Sequence, residues 1–127
     1  MTLIVLSAAA LAALLHVYIF RLESFRWQDD RTRKIFGTTV EQAATTRQLA
    51  YNQGFYNLFL AITVFAGIVT FAWPAVSLTL LIVGLGSMLA AAIVLVTHDR
   101  SKLRAALVQG TLPLIGLLAL LIRLVTG

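Results

Sequence analysis

The chain contains no cysteine, which excludes disulfides, thiolate metal sites and a cysteine nucleophile. Charge is also scarce: 12% of its 127 residues are Asp, Glu, Lys or Arg, against 60% hydrophobic residues and a mean hydropathy of +0.92. That leaves too little polar surface to cover a soluble globule of this size. The signatures that accompany DNA binding are missing, so a net charge of +5 supports no nucleic-acid partner. The two histidines, His16 and His98, stand apart without ligand spacing, which argues against haem or another metal site. No Lys or Arg precedes the first apolar run. Despite the small residues Ala8, Ala10 and Ala12, that run therefore reads as a retained helix and not as a cleaved signal peptide.

What is present is four long apolar stretches, at 2–20, 48–71, 75–97 and 105–126. Each is close to the roughly 20 residues that cross about 30 Å of hydrocarbon. The chain thus predicts an all-α, integral membrane four-helix bundle with the lipid bilayer as a partner. It forms one four-span transmembrane domain over 1–127, with a cytoplasmic loop at about 24–38. Lys and Arg in short loops resist translocation and mark the cytoplasmic side. Arg21, Arg26, Arg31, Arg33, Lys34 and Arg47 lie between the first two spans, and Arg100, Lys102 and Arg104 between the last two. Nine of the ten basic residues share one side, which puts both termini outside. Arg123 is the exception and reads as a snorkelling residue at the far interface. This topology, with attraction to anionic headgroups, accounts for the net charge.

Along the first span, His16, Phe20, Glu23 and Trp27 follow an i, i+4, i+7, i+11 spacing, predicting one helix face that continues out of the membrane. A polar loop follows, and Gly37 breaks the local structure. Thr38 with Glu41 three residues later reads as a capping box. The second helix then runs to Phe71, about 50 Å at 1.5 Å per residue. Ala72-Trp73-Pro74 predicts a tight hairpin, with Pro74 in the first turn of the third helix and Trp73 in the interfacial aromatic belt. Gly84, Gly86, Ser87, Ala90 and Ala91 suit close helix packing. In the fourth span, Pro113 removes the hydrogen bond to the Gln109 carbonyl, so a free carbonyl and an amide share one locus. Two explanations stand: a site facing the bundle interior, or a plain kink satisfied by Thr111 or water.

Polar residues within the spans gather at one depth. His16, Asn52, Gln53, Asn57 and Gln109 all fall near the basic ends, while on the outer side spans two and three offer only Thr63, Thr70, Ser77 and Thr79. A pore or transporter needs polar groups at both levels, so a small transporter or channel ranks third. On the second helix, Asn52, Tyr56 and Phe59 share one face, and Gln53, Asn57 and Leu60 the adjacent one. Such amides pair helices at a modest average of ~0.6 kcal/mol, which supports a non-catalytic assembly or scaffold protein. Their convergence with ionisable residues from other helices supports a site instead. In that case His16 with Glu23 forms an acid/base pair, and Tyr56 or Tyr18 donates a proton. Tyr18, Asn52, Gln53, Asn57 and Gln109 are the candidate ligand-binding residues for a carbonyl or hydroxyl.

The strings His16-Val17-Tyr18-Ile19-Phe20-Arg21-Leu22-Glu23 and Asn52-Gln53-Gly54-Phe55-Tyr56-Asn57-Leu58-Phe59-Leu60-Ala61 resemble the bacterial membrane family catalogued as domain of unknown function 1304. The resemblance runs over essentially the whole chain, including Gln109 and Pro113, and implies a multi-pass protein of the bacterial inner (plasma) membrane. It implies no reaction. More distantly, the layout resembles the MAPEG superfamily of four-helix subunits. That resemblance implies outside termini, a homo-oligomer, specifically a trimer, and a site in the cytoplasmic half. Asn52 corresponds to the Asn of that superfamily's glutathione motif, but Phe55 stands in place of its Glu and Tyr51 in place of its Arg, which argues against glutathione as cofactor. The leading expectation is a cleft in the cytoplasmic half for a lipophilic small molecule with one polar end. Isomerisation or group transfer would be its chemistry if it is an enzyme.

Overall fold

Hydrocarbon offers backbone N–H and C=O groups no partners, so a long apolar run must satisfy them within itself as a helix. The computed structural model describes residues 2–126; the bounds 1 and 127 of the expected domain lie outside the described residues. The elements are α1 (Thr2–Phe25), α2 (Asp30–Phe36), α3 (Val40–Thr45), α4 (Arg47–Val69), α5 (Pro74–His98) and α6 (Leu103–Thr126), with a 3-10 turn at Arg100–Lys102. The fold is an all-α four-helix bundle. Its four long helices are each long and apolar enough to cross a membrane, as in a multi-pass membrane protein.

Helix α1 packs against α4 and α6, and α5 packs against the same two, leaving α1 and α5 on a diagonal. The core lies in the middle and the apolar end of the bundle, where Ala9, Ala12, Ala13 and Ala61 let the backbones approach around Val64, Leu85 and Met88. Gly54 is the tightest such approach. A Cβ there would collide with Ser24 Oγ and lie 3.0 Å from the Phe20 carbonyl oxygen. The hydroxyls at the apolar end are self-contained: Thr63, Thr70 and Thr79 donate to Phe59, Ala66 and Ala75 on their own helices. Ser77 crosses from α5 to the Gly67 carbonyl at 2.6 Å. Pro74 opens α5 after a turn closed by Trp73 N–H on the Thr70 carbonyl.

At the basic end the structure departs from expectation in three places. First, α1 stops at Phe25, so Trp27 lies beyond the helix; its indole Nε1 donates to Thr46 Oγ1 at 3.0 Å. Second, the capping box is Thr39 with Gln42, not Thr38 with Glu41. Thr39 Oγ1 accepts from Gln42 N–H, and the Gln42 side chain accepts from Thr39 N–H. Third, the expected continuous second helix is broken at Thr46 (φ −99°, ψ 5°) into α3 and α4. Thr46 spends its hydroxyl proton on the Gln42 carbonyl at 2.6 Å while accepting from Trp27, so tertiary hydrogen bonding anchors the break.

The polar loop after α1 is exposed over most of 28–34, and contacts at its far end fix its place. Gly37 closes α2 in the left-handed region (φ 64°), where a side chain would be strained. Lys102 Nζ then donates to the Phe36 and Gly37 carbonyls at 2.6 and 3.1 Å, tying α2 to the start of α6. Asp99 caps the intervening 3-10 turn, accepting from Ser101 N–H at 2.9 Å. Hydrogen bonding to Ser101, side chain first and backbone second, holds its carboxyl below the usual range.

Candidate functional site

The four long helices and the folded-back loop enclose a cleft of about 830 Å³ at the basic end of the bundle. Its inner walls are apolar: Leu15, Ile19 and Leu22 from α1, Ala91, Val94 and Leu95 from α5, and Ala105 and Val108 from α6. A polar girdle interrupts them. Glu23, Gln53, Asn57 and Gln109 all reach the cleft wall, each from one of three helices. Toward the mouth stand Trp27, Arg31, Lys34, Thr38, Lys102 and Arg104.

The girdle is organised by one buried hydrogen bond. Asn57 Nδ2 donates to Glu23 Oε2 at 2.7 Å, and to the Gln53 carbonyl one turn earlier at 3.2 Å. Both side chains are largely withdrawn from surroundings, at 7% and 8% exposure. Asn57 arrives there because it belongs to the buried stripe of α4, with Ala50, Gly54, Ala61 and Val64 at helical spacing. Gly54 lets that stripe seat closely on α1, which brings the amide within reach of the carboxylate. Glu23 accepts from no other side chain among the described residues, and the Gln53 and Gln109 amides make no side-chain hydrogen bond there. The cleft therefore presents free amides and one carboxylate oxygen at the level where its apolar walls begin.

The expected His16–Glu23 pair is not formed. His16 is sealed at 1% exposure, its Nδ1–H donating to the Ala12 carbonyl oxygen at 2.9 Å, and it is absent from the cleft wall. Two helical turns separate it from Glu23, whose partner comes from α4 instead. Tyr18 lines the cleft, at 40% exposure. Asn52 and Tyr56 do not: both are exposed on the side of α4 away from Asn57, with Phe59 beside Tyr56. Thus Tyr18, Glu23, Gln53, Asn57 and Gln109 come together, while His16, Asn52 and Tyr56 do not join them. In α6, Thr111 Oγ1 donates to the Leu107 carbonyl, so it does not serve the Gln109 carbonyl that Pro113 leaves free.

Arg31, Lys34, Thr38 and Arg104 carried no local signal for a place on this wall, because that depends on how the loop folds back. Among the described residues, no group of three or more His, Cys, Asp or Glu is placed to hold a metal ion.

A family model matches residues 10–121. The chain belongs to the family described as protein of unknown function (DUF1304). The match covers every residue of the girdle and mouth. No curated protein and no solved structure matches the chain, so the MAPEG likeness rests on layout alone.

Proposed function

We propose that this protein holds a lipophilic molecule with a polar end in the basic-end cleft, in the cytoplasmic half of a bacterial inner membrane. The carrying observation is the Glu23–Asn57 pair set in the wall of an otherwise largely apolar cavity of about 830 Å³. That volume suits a small-molecule site, for which pockets of roughly 300–1,000 Å³ with few placed polar groups are usual. The charge asymmetry orients the bundle with the basic end inward and both termini outside, as one transmembrane domain over 1–127. Gln53 and Gln109 bind a carbonyl or hydroxyl of the ligand, Asn57 Oδ1 accepts from a hydroxyl because both of its N–H groups are already given to Glu23 and the Gln53 carbonyl, and Tyr18 lines the cleft. Glu23 is the proton-transfer group. As a catalyst it would suit isomerisation of a hydrophobic substrate, taking a proton from one carbon and returning it to another, which needs no further reactant. His16 has a packing role. The outward face with Asn52, Tyr56 and Phe59 is the surface on which copies would associate into a homo-oligomer, since an unpartnered amide in a span favours a protein neighbour over lipid.

A second reading is favoured by the same hydrogen bond, because Asn57 and Glu23 join α4 to α1 and could serve only to pair helices. The double variant Glu23→Gln with Gln109→Leu separates the two. Both changes leave the Asn57 contact possible. Mass spectrometry of molecules copurifying in nanodiscs should show about a tenfold loss of the occupant, with the melting temperature unchanged within a few degrees. Retention of the same occupant, or a wild-type protein that carries none, would count for the helix-pairing role.

A further inference from the structure

The mouth of the cleft is more than a share of the basic loops. Of the cations at this end, Arg26 is paired with Asp29 at 3.2 Å and Arg33 is paired with Asp30, and neither lines the cleft. Lys102 is on the wall, but its ammonium is committed to the Phe36 and Gly37 carbonyls. Arg31, Lys34 and Arg104 also stand on the wall, and among the described residues none of them has an acidic partner. They come from α2 and from the first turn of α6, far apart in sequence, so the folding back of α2 assembles the group. Independently, Thr38 Oγ1 on the same wall is enclosed yet makes no hydrogen bond among the described residues, a costly state for a hydroxyl unless something supplies a partner. Three cations, two of them guanidinium forks, and an unsatisfied hydroxyl match a group with several anionic oxygens better than a single carboxylate does. Inward of them the wall turns to the Asn57-bonded Glu23 and the amides of Gln53, Asn57 and Gln109, and then to aliphatic side chains.

We propose that the occupant is a single-chain amphiphile bearing a phosphate monoester, its head held by Arg31, Lys34, Arg104 and Thr38 and its hydrocarbon tail running inward along Leu15, Ile19 and Ala91. This rests on the cleft being a lipophilic-ligand site and adds the headgroup. The cavity volume fits one chain of modest length.

The test uses the full-length protein in zwitterionic phosphatidylcholine nanodiscs, carrying Trp73→Phe so that Trp27 on the cleft wall is the only remaining indole of two. Trp27 fluorescence is titrated with lysophosphatidic acid, with monoacylglycerol of the same chain, and with inorganic phosphate. The phosphate-bearing amphiphile should bind at least about tenfold more tightly than its neutral analogue. That preference should vanish in the Arg31→Gln, Lys34→Gln, Arg104→Gln triple variant, whose helicity by circular dichroism should not change. It should fall about threefold in Thr38→Val, which leaves the surface charge intact and so separates a headgroup site from charge-driven enrichment at the bilayer. Equal binding of the two amphiphiles, or a preference that survives the triple variant, would overturn the headgroup while leaving the lipophilic cleft standing. Inorganic phosphate competing at the same concentration would overturn the amphiphile in favour of a soluble phosphate ester. No response to either amphiphile would remove the cleft reading and this inference with it.

Discussion

At the scale of single residues, Glu23 and Asn57 show how position on a helix decides chemistry. Asn52 and Asn57 lie in one short segment of α4 and carry the same amide, yet one is exposed on the outer face and the other donates to a buried carboxylate. Asn57 shares the buried stripe of Ala50, Gly54, Ala61 and Val64, but the sequence put Asn52 and Asn57 alike among the ligand-binding residues, and the carboxylate partner of Asn57 was not legible either. His16 and Glu23 share a face of α1, but shared faces do not imply contact across two turns, and the imidazole bonded its own backbone instead. Gly54 controls whether the pair forms at all. Gly54→Ala should lower stability by about 1–3 kcal/mol, because its Cβ meets backbone atoms of α1 at 3.0 Å that cannot rotate away. Thermal melts in detergent would show a reduced melting temperature, whereas Gly86→Ala, with nothing among the described residues within 4 Å of its Cβ position, should melt like the parent.

Among the elements, α2 is the one whose placement matters most. Its seven residues are too few to hold a helix alone, so its order derives from what it touches. Trp27 packs on Phe36 with ring centroids 5.2 Å apart, and Lys102 reaches the last carbonyls of α2. Those contacts carry Arg31 and Lys34 to the mouth of the cleft. Removing the tether by Lys102→Met should release the segment while the bundle persists. Hydrogen–deuterium exchange of residues 30–37 should speed up about tenfold, the worth of a charged hydrogen bond, with 57–64 unchanged. Unaltered exchange in 30–37 would mean that the aromatic contact alone holds α2. The break at Thr46 belongs to this scale too, since helix periodicity runs through it and only the indole of Trp27 marks it out.

For the whole molecule, the asymmetry between a basic, hollow end and an apolar, packed end is the dominant property. It predicts one orientation, and the absence of cysteine makes that directly measurable. Single cysteines at Ala72 and at Asp29 should be labelled by a membrane-impermeant maleimide from opposite sides of intact cells, Ala72 from outside and Asp29 only after permeabilisation; the reverse pattern would invert the topology. The sequence by itself determined the four spans, the concentration of polar groups at one end and the membership of the family, because length, hydropathy and charge are local quantities that a bilayer converts into architecture. Only the tertiary structure decided which polar groups meet. Glu23 found Asn57, His16 was sealed away, and Arg31, Lys34 and Arg104 came to line one cleft, because those outcomes depend on the rotation and close seating of helices and on a loop folded back by contacts remote in sequence.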